Sequence, residues 1–261
     1  MDADAPCLVY EGLLLSGMDA VIPRIGASVT DYGAAIIRQL ELTGYYTLTS
    51  SEALLRARDK LKCLQVLSAN GIPIPQTFIA GSPEDLRDMV ERLQGSGPVI
   101  IKLLESTHGV GVILAESRIS ALALAETFFK LNQPVILQEF IEEAAGSDVR
   151  AFVIGGAVVA AMRRQAPLGE FRSNLHRGAS AEPVELSRSE EQLVLQSARL
   201  MGLEVAGVDL LRSRRGPLVM EVNASPGLEG IEACSGMDIA DKIISHLEAG
   251  YQSFSKKIHH A

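Results

Sequence analysis

The chain has 261 residues, is 47% hydrophobic and 21% charged, and carries 24 basic against 32 acidic side chains for a formal charge of −8. That balance is ordinary for a globular enzyme and argues against general nucleic-acid binding, although it leaves room for a local basic patch. No apolar run reaches the roughly 18 residues needed to span a membrane; the acidic start M-D-A-D-A-P-C does not read as a secretory signal; and Cys7, Cys63 and Cys234 are scattered, with no metal-ligand spacing, so a reducing, cytoplasmic setting is expected.

Residues 1–50 read as an incomplete layer. Met18–Ile25 resembles a short strand ending in a loop, and Asp31–Leu42 has helical spacing that Gly44 stops. One strand and one helix do not make a stable sheet layer, so earlier βα units are expected to be missing from this sequence. A helix capped by Ser50 or Ser51 is predicted to run unbroken to Ala69, carrying Arg56, Arg58, Asp59, Lys60 and Lys62. Thr77–Ala80 reads as a strand, and Ser82-Pro83-Glu84-Asp85 opens a helix with a cap and an acidic first turn. Val99–Leu104 is a buried strand interrupted by Lys102. A small-residue loop, Val112–Ala115 as a strand and Ser120–Leu131 as a helix follow.

A second lobe is predicted from Pro134, with strands Val135–Ile141, Asp148–Ile154 and Ala157–Met162. Arg163–Ala179 reads as a polar, basic loop. Ser187-Arg188-Ser189-Glu190 fits a capping box for a helix to Met201. Val205–Leu211 and Leu218–Val222 then form a hairpin across a polar Arg212–Pro217 link. A last helix is expected over Asp238–Leu247, with a frayed tail beyond. Strands alternating with helices, with hairpins among them, give an α+β or α/β class.

The hairpin carries the most pointed chemistry. Asp209, Glu221 and Asn223 interrupt apolar runs; Glu221 and Asn223 share a face, and pairing brings Asp209 beside them. Buried acids are costly unless they meet a cation, and an all-oxygen set suits Mg²⁺, which takes one or two carboxylates plus substrate phosphates. A mid-strand lysine such as Lys102 is rare unless paired, and a nucleotide phosphate would pair it. The following loop, with Ser106, Thr107, Gly109 and Gly111, has the small residues that let backbone N–H groups approach phosphates. Glu139 and Phe140 at a strand end could present backbone groups to an adenine edge and Asp148 could accept from ribose hydroxyls, although the residues fit structural roles equally well. Phe171–Gly178, with Arg163 and Arg164, gathers cations against one acid, Glu170, and is a candidate site for an anionic substrate or a phosphoryl group.

Together these stretches resemble the ATP-grasp ligases, and within them the RimK-like branch. The carriers are P-R-I-G at Pro23–Gly26, R-A-R-D-K at Arg56–Lys60, G-S-D-V-R at Gly146–Arg150, F-R-S-N-L-H-R-G at Phe171–Gly178, A-G-V-D at Ala206–Asp209 and G-P-L-V-M-E-V-N-A-S-P-G-L-E-G-I-E at Gly216–Glu232. The resemblance implies an ATP-grasp fold, two α+β lobes clasping ATP, preceded by the remnant of an N-terminal α/β domain. It divides the chain into 1–56 (partial N-terminal domain), 57–133 (central lobe), 134–250 (C-terminal lobe with the metal site) and 251–261 (flexible tail). It implies ATP as co-substrate, with Lys60 and Lys102 on its phosphates, Glu139 and Phe140 at the adenine, Asp148 at the ribose, and Arg172, Ser173 and Asn174 lining the nucleotide site. Asp209, Glu221 and Asn223 would hold two Mg²⁺ or Mn²⁺ ions. Arg172 and Arg164 would stabilise the transferring phosphoryl group. The implied reaction adds L-glutamate to the C-terminus of a small-subunit ribosomal protein through an acyl phosphate, by a homo-oligomeric enzyme. Two other readings stay open: a ligase acting on a free metabolite or making poly-glutamate, and a non-catalytic ATP-binding module. Ala179 departs from the family pattern, which has a second glycine there.

Overall fold

A computed structural model describes residues 7–94, 97–104, 111–175 and 178–258. The N-terminal segment holds a small hairpin, β1 (Val9–Tyr10) and β2 (Leu13–Leu14), then β3 (Ala20–Val21), α1 (Thr30–Leu42) and β4 (Tyr46–Thr47). β3 and β4 pair in parallel as a sheet of two strands. Two helices follow, α2 (Ser51–Arg58) and α3 (Lys60–Ala69).

The sequence predicted one helix here, and the structure corrects that at Asp59. Its backbone is extended, and its side chain accepts from the Lys62 N–H at 2.9 Å, so it caps the start of α3. The break re-aims the chain and puts Lys60 at the first turn of a new helix.

The central lobe contains β5 (Thr77–Ile79), α4 (Pro83–Gln94), β6 (Val99–Leu103), β7 (Val112–Ala115), α5 (Arg118–Lys130) and β8 (Val135–Glu139). Its antiparallel sheet has the order β5-β8-β6-β7. Leu86, Val90 and Leu93 of α4 and Ala121 and Ala125 of α5 pack on Val99, Ile101, Val135 and Leu137. Side chains alternate along a strand, so covering Val99 and Ile101 leaves Lys102 on the opposite face.

The C-terminal lobe contains β9 (Ser147–Ile154), β10 (Ala157–Gln165), β11 (Ser180–Pro183), α6 (Arg188–Met201), β12 (Val205–Ser213), β13 (Gly216–Asn223), α7 (Glu229–Ser235) and α8 (Ile239–Ile258). The antiparallel sheet order is β11-β10-β9-β12-β13. One face, with Val149, Ala151, Val153, Ala206, Val208 and Leu210, packs against α2, α3 and α6. On the other, Phe152, Ile154 and Val205 meet Ile231 of α7 and Ile239 and Ile243 of α8.

Three further expectations change. The hairpin strands reach Ser213 and restart at Gly216, so the turn is tighter than the predicted link. β10 runs to Gln165, which places Arg163 and Arg164 in the sheet instead of a loop. The last helix continues to Ile258 because its far end has partners: Tyr251 donates to Asp19 at 2.9 Å and Phe254 packs on Tyr46 with ring centroids 5.4 Å apart. Replacing the capping residue, Asp59→Ala, should lower unfolding stability by about 1 kcal/mol, read as a shift of the urea midpoint at unchanged slope.

Candidate active site

Register builds the site. Arg150 on β9 pairs with Asp209 on β12, and Asp209 pairs with Glu221 on β13. Cross-strand partners share a face, so a cation and two acids stand in one row. Beside that row Asp148 pairs with Arg164 of β10. A bulge in the β12–β13 ladder, at Met220, makes the pattern possible: Val219 and Val222 both enter the core, while Glu221 and Asn223 face the other way. Gly207 pairs with Asn223, and a Cβ there would lie 2.8 Å from Pro226, so the chain leaving the hairpin folds back onto a position that needs glycine.

The acids differ in setting. Asp209 is 1% exposed and accepts from Arg150 Nε and Nη2 at 2.7 and 2.6 Å and from Arg164 Nη2 at 2.8 Å. Burial opposes its ionisation, and the two guanidiniums overcome that and hold its carboxyl well below the usual range. Glu221 keeps 48% of its side-chain surface, with Arg150 at 3.6 Å. Crowding at the cleft floor and the charge of Asp209 push its carboxyl up, against the pull of Arg150 and Lys102. Asn223 Oδ1 accepts from the Ser225 N–H at 3.0 Å, which fixes its amide beside the row.

The central lobe supplies the opposing charge. Burial pushes Lys102 down to about 8, with Glu221 acting against that and Lys60 adding to it. Lys60 donates to the Leu103 and Leu104 carbonyls at 2.9 and 3.2 Å, and it too senses Glu221. Lys102 thus stands on β6, and Lys60 on α3, which packs on the C-terminal sheet and bonds to the end of β6; both sense Glu221. Arg172 clamps Glu170 through Nε and Nη2 at 2.9 and 2.8 Å and reaches the Val112 carbonyl of the other lobe at 3.4 Å. Those bonds from Arg172 hold the Glu170 carboxyl down at about 2. The Arg172 guanidinium lies 5.1 Å from the Phe171 ring centroid, and Phe171 meets Phe140 edge-on at 6.5 Å, giving the cleft an aromatic wall. Gly111, at φ +72°, closes the loop after β6 through its carbonyl to Leu103 N–H; a Cβ there would strike Leu103.

The expected site residues have these partners. Arg164 is 4% exposed and bonded to Asp148 and Asp209. Asp148 gives both oxygens to Arg164 and bonds Ser173. Glu139 is buried and its side chain accepts from the Gln76 N–H and from Arg215, which fixes the strand end whose backbone is expected at the adenine. Phe140 and Arg172 both contact Phe171, and Ser173 bonds Asp148. Ser106, Thr107 and Gly109 lie outside the described residues, as do His176 and Arg177.

The sequence reading gave no role to Arg150, Arg58 or Arg24. Arg150 was legible, two residues from Asp148 on a strand and so on its face. Arg58 donates to the Ile25 carbonyl, and Arg24 to the Pro226 carbonyl at 2.7 Å. Burial lowers the pKa of each. Among the described residues, the buried side-chain polar atoms without a hydrogen-bond partner are Arg58 Nε and Ser225 Oγ. Both belong to this end of the cleft, where the N-terminal segment meets the hairpin exit.

Two protein-family models match the chain: a RimK-like ATP-grasp domain over residues 57–247 and a RimK PreATP-grasp domain over residues 1–54. The chain belongs to the RimK-like ATP-grasp family. It is thus an ATP-dependent ligase with the ATP-grasp fold. A "Probable alpha-L-glutamate ligase" of Thioalkalivibrio sulfidiphilus is 54% identical over 243 residues, 93% of this chain and 80% of the relative. One of Vibrio cholerae is 53% identical over 248 residues, 95% and 82%. Among solved structures, the ATP-grasp ligase PsnB complexed with minimal precursor aligns with a TM-score of 0.71 at 22% identity, over 94% of this chain and 85% of that one. The D-alanine–D-alanine ligase of Bacillus anthracis complexed with ATP aligns at 0.71 and 20%, over 92% and 81%. At those identities the structures speak for the fold.

In this RimK-like ligase, Arg164→Met would leave Asp148 and Asp209 short of a buried counter-charge. We expect a loss of about 3–5 kcal/mol in unfolding stability, measured by denaturant titration. A variant as stable as the wild type would show that the network is not the brace described.

Proposed function

We propose that the protein joins the amino group of L-glutamate to a peptide C-terminal carboxylate, and that the acceptor is the C-terminal tail of a small-subunit ribosomal protein. The observation that carries the ligase chemistry is the cross-strand row of Asp209 and Glu221, braced by Arg150, with Lys60 bonded to the end of the strand that carries Lys102. The names of the glutamate-ligase relatives support the amine. A related fold solved with a precursor peptide supports a peptide carboxylate. The ribosomal acceptor rests on the resemblance of Phe171–Gly178 and Gly216–Glu232. We place the enzyme in the cytoplasm as a homo-oligomer; among the described residues no helix is long and apolar enough to cross a membrane.

The donor set fits a hard divalent cation. Among the described residues no three His, Cys, Asp or Glu side chains cluster. Two carboxylates and an amide nonetheless match Mg²⁺, which completes its shell with phosphate and water. Asp209, Glu221 and Asn223 would hold two Mg²⁺ or Mn²⁺ ions, with Glu221 shared. When bound, such ions neutralise the phosphate charge and draw the β- and γ-phosphates into one geometry.

The reaction proceeds in two displacements. A carboxylate oxygen of the acceptor attacks the γ-phosphorus of ATP, the bond to the β–γ bridging oxygen breaks, and ADP leaves. The glutamate nitrogen then attacks the acyl carbon, the C–O bond to phosphate breaks, and the nitrogen gives up a proton. Lys60 of α3 and Lys102 of β6 hold the phosphates. Arg172, tied to both lobes, meets charge developing on the phosphoryl group. Phe140 and Phe171 offer the base an apolar wall. Arg58, Arg24 and Ser225, at the far end, face the carboxylate substrate.

Incubation with ATP, Mg²⁺, L-glutamate and purified small ribosomal subunits should give one ribosomal protein heavier by whole glutamyl residues. Heavier free glutamate oligomers, with no protein modified, would replace the acceptor assignment. Glu221→Ala should abolish ATP consumption; full turnover would refute the metal assignment.

Lys102 adds a pH dependence. Its ammonium binds phosphate only when protonated, and it titrates at about 8. Phosphate raises that value, so ATP binding near pH 8 should take up a proton and KM for ATP should rise above it. Calorimetry in buffers of different ionisation enthalpy reads the uptake; equal heats in all buffers would exclude it.

A further inference from the structure

Arg150 and a divalent cation compete for one carboxylate. An ionised carboxylate offers about four acceptor positions. Arg150 fills one on each oxygen of Asp209, and Arg164 fills a second on Oδ2. The position left lies on Oδ1, beside the Arg150 Nε–H. The same guanidinium is 3.6 Å from Glu221. Arg150 thus bridges the two acids of the row, where a cation shared by them would sit.

Two positive charges at that spot repel, and burial at the sheet surface keeps solvent from screening them. A polyphosphate beside both would offset the repulsion and offer the guanidinium a second partner. Arg164 does not play this part, since Asp148 holds it from the other side.

We infer that Arg150 makes cation binding conditional on nucleotide: it blocks the Asp209–Glu221 pair against a bare divalent cation and gives way, toward the phosphates, when nucleotide arrives. By linkage the nucleotide then tightens the cation and the cation the nucleotide by one factor. The consequence is that the acids are not filled, and the cleft not committed, before ATP is present. The inference rests on the reading of Asp209 and Glu221 as cation ligands.

The test is Mn²⁺ binding to the full chain without nucleotide, followed by electron paramagnetic resonance of the free ion. Wild type should bind weakly, and addition of ADP should tighten Mn²⁺. Arg150→Gln keeps a hydrogen-bonding side chain without the charge, and should bind Mn²⁺ roughly tenfold tighter without nucleotide, within the usual range of coupling between sites. Arg150→Lys keeps the charge and should gain little. Adding Glu221→Gln to Arg150→Gln should cancel the gain. If Arg150→Gln binds no tighter than wild type, or if Lys and Gln gain alike, the gating role is wrong and Arg150 is only a brace for Asp209. If the gain survives Glu221→Gln, the ion is elsewhere and the cation-site reading falls with it. Should Arg150→Gln not fold, wild type alone decides: Mn²⁺ bound equally tightly with and without ADP overturns the inference.

Discussion

Five ionised side chains on one buried sheet face constrain much of this structure. Charges removed from water are tolerated only when each finds an opposite charge and enough hydrogen bonds. Asp209 meets that condition with two guanidiniums, Asp148 with one and a serine. The pairing requires Arg150, Asp209 and Glu221 in one row and Arg164 opposite Asp148. A slip of one residue would send every one of these groups into the apolar face. The bulge at Met220 is the local adjustment that lets the last strand deliver Glu221 to the ionic side while Val219 stays in the core. Such a row adds little net stability compared with a hydrophobic one. Its value is a fixed array of carboxylates with a single open edge, at Glu221.

Cations from four different elements surround the array. Arg58, Lys60, Lys102 and Arg150 all sense Glu221. Four cations converging on one half-exposed carboxylate, in a protein of net charge −8, leave the cleft locally positive. Burial lowers the pKa of Arg58, Lys60 and Lys102, whereas Arg150, although buried, is held up by Asp209. A ligand with several negative charges would offset that burial, and a nucleotide with its acidic co-substrates is such a ligand. The N-terminal segment takes part, since Arg24 and Arg58 tie Ile25 and Pro226 together at the end of the cleft.

Much of this was legible in the sequence, for definite reasons. The acids of the hairpin stood out because they break apolar runs at period two, and Lys102 because a charge inside a strand needs a partner. The failures share a cause: short-range pattern does not reveal who pairs with whom. Arg164 looked like part of a basic loop because Arg163-Arg164 is polar; in the sheet its neighbour across the ladder is Asp148, and the pair cancels. Asp148 and Glu139 read equally well as structural residues or as ligand contacts, because the side-chain partners the fold gives them lie 16 and 76 residues away. The end of α8 looked frayed because its partners, Asp19 and Tyr46, are at the other end of the chain. The helix break at Asp59 was readable, since an Asp ahead of Lys-Leu-Lys is a cap signal, but a continuous apolar period hid it.

The two ends of the cleft differ in how far chemistry alone identifies their ligand. At the proposed phosphate end the chemistry is narrow: oxygen donors that suit a hard cation, lysines that suit phosphate, and a glycine where Leu103 leaves no room for a Cβ. At the other end Arg58 Nε and Ser225 Oγ are buried without partners, and an unsatisfied buried polar atom costs roughly 1–3 kcal/mol. A fold does not keep such a cost in its closed interior when a nearby acceptor would remove it. Both atoms lie where three separate stretches meet, at Ile25, Arg58 and Ser225. On the function proposed above, the hairpin and lysines would activate a carboxylate, and this junction with the N-terminal segment is where the choice of carboxylate would be made.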